Sequence, residues 1–351
     1  MTRFGKLAPD RLQVLLLGPG FGESVVVRVP GEPPGWMVVD SLLSDRRGEA
    51  RCAPLEVLDD LGAEPDLVLL THAHADHAGG MASIVERFRE RASFGALQVG
   101  VDGVASAHVR DAAQAAEAAA ALRAVAQLPS DRRWDLHGEP RQLGEGTVTV
   151  VHPAQTRLDE LLKMRSIGPN RISSAVLVEW RERSVLLGAD LERPEWTLLA
   201  HAERLCACDP VKVPHHGSAG AFDRAWAGER AGNPTNARRR MLLTPFDRHP
   251  KLPDVDGQDG LPGLLCEVDA VHLTSVPFQT SPTATGTLSI RALRNARDAA
   301  KASRPPLPPT LGEPTAPQTT VNAEDAWLLA ELGANGVCLV RGGEAHVSLT
   351  R

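Results

Sequence analysis

The sequence predicts a layered α/β protein with mixed β-sheets, and three observations carry that reading. Short apolar runs of strand length alternate with segments of helical periodicity. The chain opens on strands joined by a glycine-rich turn, and no internal repeat organises it. A two-half αββα sandwich is compatible with the pattern. At 351 residues, 42% hydrophobic and 23% charged, the chain is long enough to bury a large core.

Residues 12–17 and 24–29 read as strands paired across Gly18-Pro19-Gly20-Phe21-Gly22-Glu23, where three glycines in five residues mark a tight turn. A third strand, 36–39, ends at Asp40-Ser41. Residues 54–61 place Leu55, Val57, Leu58 and Leu61 at helical spacing. Residues 66–70 form a short strand, apolar after its first residue, of the kind buried on both faces. Helices follow at 81–91 and, alanine-rich, at 105–128. The second half repeats the grammar: a strand at 147–151, a polar loop through Asn170, and a hairpin of 174–180 with 184–187. Then come a helix at 195–205, a strand at 211–213, a helix at 219–231, and strands at 241–244 and 271–276. Six prolines between 304 and 320 exclude helix or central strand there. Residues 323–332 read as a helix capped by Asn322, and 336–349 as a hairpin. The expected organisation is one domain over 1–303, a proline-rich linker over 304–320, and a C-terminal helix and hairpin over 321–351 packed on it.

Composition bounds the function. The net charge is −6, from 38 Lys+Arg against 44 Asp+Glu, which argues against wholesale wrapping of nucleic acid and leaves local basic patches. No apolar run reaches the ~18 residues of a membrane span, and 14–17 is shorter than the ~7–15-residue core of a signal peptide. Five cysteines (Cys52, Cys206, Cys208, Cys266, Cys338) lack a framework spacing, which predicts a reduced, cytoplasmic setting. Cys206-Ala207-Cys208 has no second half and reads as small buried residues. The absence of tyrosine removes any tyrosine acid, base or nucleophile.

Chemistry concentrates in Thr71-His72-Ala73-His74-Ala75-Asp76-His77-Ala78-Gly79-Gly80, directly after the buried strand. Four potential metal ligands fall within six residues of a chain holding 12 histidines. On an extended segment His72 and His74 point the same way, so both can reach one ion. Asp76 and His77 then project towards a neighbouring position as the chain turns into the next helix. The small residues between them let backbone approach the ions. Imidazole with carboxylate suits Zn²⁺, and also Mn²⁺ or Fe²⁺.

This His-x-His-x-Asp-His motif resembles that of the metallo-β-lactamase fold family, a four-layer αββα sandwich of two mixed sheets flanked by helices. Asp40 resembles the family's aspartate that orients the histidine loop, and Asp190, in Leu186-Leu187-Gly188-Ala189-Asp190, its metal-bridging carboxylate. Val211-Lys212-Val213-Pro214-His215-His216-Gly217-Ser218 resembles its late histidine motif. Together with Ser173-Ser174-Ala175-Val176-Leu177, these segments look like the ComEC-type branch and its stand-alone relatives over roughly 11–300. The departures are Glu23 with its glycine-rich turn in place of Val-Gly-Gln-Gly-Asp, the missing membrane channel, and Arg248-His249-Pro250 in place of Gly-His-Pro.

The resemblance implies two divalent ions, with His72 and His74 on one, Asp76 and His77 on the other, and Asp190 between them. His216 is the favoured late ligand, and His215 its alternative or a hydrogen-bond donor to substrate. His152, before Pro153 at a strand end, is either a third histidine for the first ion or a turn residue. Two ions ~3.5–4 Å apart would lower the pKa of a bridging water to give hydroxide, with Asp76 assisting proton transfer. Lys212, Ser218 and His249 are candidate substrate contacts, and Arg238-Arg239-Arg240 a weaker one; with a net charge of −6, contact with a nucleic acid would have to come from local cations such as Lys212, Arg171 or the 238–240 run. The expected activity is hydrolysis of phosphodiesters in nucleic acid or nucleotide. The alternatives are a lactone, thioester or β-lactam hydrolase, and a metal-stabilised component of a multi-protein, phage-defence-like system.

Overall fold

Alternation along the first strand sets the layering. Leu12, Val14 and Leu16 pack with Val176, Val178 and Leu187 of a second sheet, whereas Leu15 and Leu17 join Val57, Ile84 and Leu122 of helices on the opposite side. In the computed structural model the described residues are 4–18, 22–46, 49–97, 112–164, 168–200, 208–221, 240–246, 252–254, 259–268, 270–274, 327–334, 338–342 and 347–350.

The strands in chain order are β1 (Arg11–Leu17), β2 (Ser24–Val29), β3 (Gly35–Val39), β4 (Leu43–Arg46), β5 (Glu49–Cys52), β6 (Leu67–Leu70) and β7 (Ser93–Ala96). They continue with β8 (Arg141–Leu143), β9 (Gly146–His152), β10 (Ala175–Trp180), β11 (Arg183–Leu187), β12 (Val211–Lys212), β13 (Arg240–Leu243) and β14 (Ala270–Leu273). The last three are β15 (Trp327–Gly333), β16 (Cys338–Gly342) and β17 (Val347–Thr350). One sheet runs β16-β15-β1-β2-β3-β6-β7, the other β17-β14-β13-β12-β11-β10-β9-β8, and β4 pairs β5 separately. Both large sheets are mixed, with β3-β6-β7 parallel in the first and β11-β12-β13-β14 parallel in the second.

Helices α1 (Ala53–Leu61), α2 (Ala75–Ala78), α3 (Met81–Phe88) and α4 (Ala112–Ala126) precede α5 (Gln155–Leu162), α6 (Arg193–Ala200) and α7 (Leu261–Glu267). Residues of α1, α3 and α4 cover the outer face of the first sheet, and residues of α6 and α7 the outer face of the second. The order of layers is therefore helix, sheet, sheet, helix, as the sequence leads one to expect. Among the described residues no helix is long and apolar enough to cross a membrane.

Two C-terminal expectations are corrected. Residues 327–333 form a strand paired antiparallel with β1, not the second half of a helix over 323–332. Leu328, Ala330 and Leu332 enter the core between the sheets while Trp327 and Leu329 face the helices. Every residue of this strand is buried, so its apolar run shows no alternation by which to tell strand from helix. Residues 336–349 are likewise not a hairpin: β16 pairs β15 in one sheet and β17 pairs β14 in the other. The polar loop expected through Asn170 contains α5. The proline-rich 304–320, most of the 219–231 helix and the first residues of the 105–128 helix lie outside the described residues.

Candidate metal centre

Strand direction gathers the polar residues at one edge of the sandwich. Asp40 follows β3, Thr71–His77 follow β6, Asp190 follows β11, His215 and His216 follow β12, and Thr244 follows β13. The 22–23 turn reaches the same edge. A β-carbon on Gly22 would lie 1.9 Å from the Asp76 carbonyl oxygen, so this approach requires glycine, and the Glu23 amide donates to that oxygen at 3.0 Å. Asp40, Ala189, His215 and His216 all take left-handed backbone conformations, with φ between 44° and 57°. Each costs on the order of 1–3 kcal/mol in a non-glycine residue and persists where surrounding contacts enforce it.

The histidine protons can be assigned from their partners. Thr71 Oγ1 donates to Asp40 Oδ2 at 2.7 Å, so it can only accept from His72 Nδ1, 3.0 Å away. His77 Nδ1 donates to Asp40 Oδ2 at 2.7 Å, and His216 Nδ1 donates to the Thr244 carbonyl at 3.0 Å. Asp40 also accepts from the Thr71 amide at 2.7 Å. Three imidazoles thus have Nδ1–H anchored on protein oxygens and Nε2 turned inwards, the arrangement that orients metal-ligating histidines.

Those inward atoms converge. Ligand atoms of Asp76, His77, Asp190 and His216 all lie within 4.8 Å of one another. His77 Nε2 is 3.3 Å from Asp190 Oδ1, and His216 Nε2 is 3.8 Å from Asp76 Oδ2. His72 Nε2 and His74 Nδ1 face each other at 3.0 Å. His77 Nε2, His216 Nε2 and Asp190 Oδ1 are buried without a hydrogen-bond partner. Orphaned buried polar atoms are rare because each forfeits its solvation, and here they are two imidazole nitrogens and a carboxylate oxygen of residues whose ligand atoms lie within 4.8 Å of one another. The set fits a divalent ion of the zinc class.

Charge points the same way. Burial alone would lower His77, but Asp190, Asp40 and Asp76 outweigh it and hold its pKa well above the usual histidine value. Against the same burial, Asp190 and Glu23 raise His216. Burial works against ionised Asp76 and Asp190, yet His77 and His216 keep both below the ordinary carboxylate range. His72, His74 and His215 are lowered, chiefly by burial. The carboxylates and imidazoles of the centre thus interact strongly with one another.

Other nominated residues are placed differently. Lys212 is 1% exposed, so it is no surface contact for substrate; its Nζ pairs with Glu23 and donates to the Ala189 carbonyl at 2.8 Å. His152 has both ring nitrogens engaged, Nδ1 with the Ser173 carbonyl at 3.1 Å and Nε2 with Glu195 at 3.2 Å. The structure does not bring it into the four-residue group. His215 is half-buried, with Nε2 3.2 Å from the Asn170 amide nitrogen, and Ser218 lies half-buried beside it. His249, Arg238 and Arg239 lie outside the described residues, and Arg240 is ion-paired to Asp209 at 2.6 Å. Buried Cys208 agrees with the apolar reading of its segment, while Cys206 lies outside the described residues.

Sequence reasoning missed Glu23, Asn170, Ser173, Thr244 and Glu195 as partners of the site. For Glu23 the signal was present, an acidic residue closing the glycine-rich turn. The others are ordinary polar residues made significant only by the fold.

Residues 17–92 match the family model described as the metallo-beta-lactamase superfamily. Together with two mixed sheets flanked by helices, that match points to one architecture. This is a metallo-β-lactamase fold. The hydroxyacylglutathione hydrolase of Serratia proteamaculans (strain 568) is 37% identical over 70 residues, 20% of this chain. The matched segment spans about a quarter (25%) of that relative's length. Among solved structures, the metallo-beta-lactamase fold protein YhfI from Bacillus subtilis superposes with a TM-score of 0.39 at 14% identity, over 67% of this chain and 85% of its own. The CmlA beta-hydroxylase E377D mutant gives 0.36 at 19% identity, over 63% and 38%.

Proposed function

We propose that this chain is a two-metal hydrolase. The observation that carries the reading is the convergence of orphaned His77 Nε2, His216 Nε2 and Asp190 Oδ1 beside the His72–His74 pair. His72 and His74 would hold one ion, Asp76, His77 and His216 the other, with Asp190 between them. Bound divalent ions supply Lewis acidity and bring water towards ionisation near neutral pH. The chain's own residues do the rest. Asp40 fixes the His77 ring and, through Thr71, the His72 ring. Asp76, 17% exposed at the mouth, can accept a proton from the reacting water. His215, kept neutral by burial, can donate to or accept from substrate beside Asn170.

On substrate, the geometry favours a small ester, thioester or lactone over a phosphodiester polymer. The expected phosphate contacts were Lys212, Arg171 and the 238–240 run. Among the described residues of that set, Lys212 is buried on Glu23, Arg171 is clamped on Glu195 and Arg240 is paired with Asp209, while Arg238 and Arg239 lie outside them. A polyanion needs unpaired cations, whereas an uncharged acyl group needs burial and a few hydrogen bonds. The partial likeness to a hydroxyacylglutathione hydrolase supports the same choice. The phosphodiester reading keeps one support, since paired ions suit in-line displacement at phosphorus.

The deciding experiment loads purified protein with Zn²⁺ or Mn²⁺ and assays a glutathione thioester, a simple lactone and bis-p-nitrophenyl phosphate side by side. Thioester or lactone turnover is expected. Turnover of the phosphodiester alone would transfer the assignment to phosphodiesterase, and failure to take up any divalent ion would sink the hydrolase reading.

A further inference from the structure

Lys212 has no place in the activity just proposed, yet it is among the largest fully buried side chains of the molecule. A buried ammonium is retained only where oxygens surround it. Its oxygens are informative. Nζ pairs with a carboxylate oxygen of Glu23, donates to the Ala189 carbonyl at 2.8 Å and lies 3.9 Å from Asp190 Oδ1. Ala189 is one of the left-handed residues, at φ 44°, and it directly precedes Asp190. The ammonium therefore ties down the carbonyl of a strained turn whose next side chain is the carboxylate at the heart of the metal centre.

Glu23 completes the device from the other sheet. Its Oε2 is buried, makes no hydrogen bond and lies 3.6 Å from His216 Nδ1. That nitrogen donates to the Thr244 carbonyl. A free Glu23 carboxylate would compete for the same proton, because a charge-assisted hydrogen bond is the stronger one. Turning the ring towards Glu23 would swing Nε2 away from Asp76 and Asp190. With Lys212 drawing on the other oxygen, Glu23 is held as one half of an ion pair.

We propose that Lys212 is a positioning residue, a built-in cation that uses Glu23 as counter-ion to hold Asp190 and His216 in place for the second metal ion. The assignment rests on the metal-centre reading. It replaces the role that sequence alone suggested for Lys212, a contact with substrate.

The test is Glu23→Gln combined with Lys212→Met. Removing one charge of each sign leaves the net charge around the ions unchanged, so the double variant reports placement and not electrostatic attraction. Zn²⁺ titration by calorimetry, beside thermal melts of the ion-free proteins, supplies readouts independent of turnover. The expected result is a double variant that melts with the wild type but binds the weaker-held ion ~10–100-fold less tightly, the usual effect of losing a residue that supports a ligand. A double variant with wild-type melting and wild-type Zn²⁺ affinity would overturn the inference and reduce the pair to structural glue. Lys212→Arg gives a second arm, for use also if the double variant does not fold. It keeps the charge on Glu23 but replaces a point donor with a planar fork, so weakened Zn²⁺ binding is expected and wild-type affinity would overturn the proposal. Wild-type protein that binds no Zn²⁺ fails the metal reading itself, and this inference with it.

Discussion

Two buried polar clusters sit on either side of the 169–174 segment, and they are built on opposite plans. Around Glu195, which is 0% exposed, His152 contributes Nε2 at 3.2 Å, Arg157 Nε and Nη2 at 2.9 Å, and Arg171 Nε and Nη2 at 3.0 and 2.8 Å. No atom of that clamp is left without a partner. The candidate metal centre is also buried and charged, yet leaves two histidine nitrogens and a carboxylate oxygen unpartnered. Ser173 joins the two, its carbonyl accepting from His152 and its hydroxyl accepting from the Asp190 amide at 3.1 Å. A satisfied polar cluster holds a fold together, and an unsatisfied one waits for a ligand. Burial and charge alone would not have told them apart.

Substitution at the two acidic centres should separate the clusters most widely. Asp190→Ala is expected to lower hydrolysis on the order of 10³-fold, comparable with losing a principal electrostatic donor, and to reduce bound metal as measured by elemental analysis. Glu195→Ala should do the reverse. It removes the common partner of His152, Arg157 and Arg171, which predicts a loss of about 3–5 kcal/mol in denaturant unfolding with metal content per folded molecule unchanged. If Glu195→Ala strips the ions, or Asp190→Ala leaves them, the contrast fails.

His152 gives a finer cut because sequence allowed it either role. As part of the clamp, His152→Ala should cost about 1–3 kcal/mol, the usual effect of leaving buried partners unpaired, and retain both ions. Loss of one metal equivalent would return it to the metal centre.

The contrast also explains what the sequence could disclose. The candidate ligands His72, His74, Asp76 and His77 are legible because they lie within six residues. Asp40 and Asp190 are legible as acidic residues closing apolar strands. The Glu195 clamp is not, since its partners stand 24 to 43 residues away and nothing local distinguishes them from surface charges. Lys212 fails similarly: a lysine between two valines reads as exposed until Glu23 is found beside it. The seven strands read from the sequence up to β11 (β1, β2, β3, β6, β9, β10 and β11) alternate or end at clear turns, whereas β15 is rich in helix formers and buried throughout. There pairing with β1 overrides propensity.

A pH series exploits the opposite signs of the shifts. His77 and His216 have raised pKa values in the folded protein. Their stabilisation is therefore complete below the unfolded value of about 6.5 and is lost as pH rises through the folded values. Asp76, Asp190 and Glu195 are depressed, so their contributions hold above the ordinary carboxylate range and fade only in acid. Lowered His72, His74 and His215 also cost stability only below about 6.5. Ion-free protein should accordingly melt lower at alkaline pH than near pH 6.5. Zn²⁺ should erase that alkaline loss, because ligation requires unprotonated imidazole. Glu195→Gln should shift both melts equally. An alkaline loss that persists in saturating Zn²⁺ would place His77 and His216 outside the metal shell.

The smallest effect concerns Arg171, whose charge could belong to either cluster. It was one of the cations expected to meet a phosphate backbone, and in the structure both Nε and Nη2 bond to Glu195 Oε1. If it serves the clamp, Arg171→Gln should lower stability modestly, since Arg157 still pairs with the carboxylate, and leave KM for a neutral thioester or lactone within about twofold. Salt should matter equally little. A polyanion loses affinity with a log–log slope of about −0.9 per phosphate neutralised on duplex DNA, whereas an uncharged acyl substrate releases no counterions. Comparing KM at low and moderate salt in wild type and Arg171→Gln reads both points in one experiment. A steep wild-type dependence that flattens in the variant would show Arg171 reaching past Glu195 to an anionic substrate. The 169–174 segment would then be a wall of the binding site, and the division between the two clusters would have to be redrawn through it.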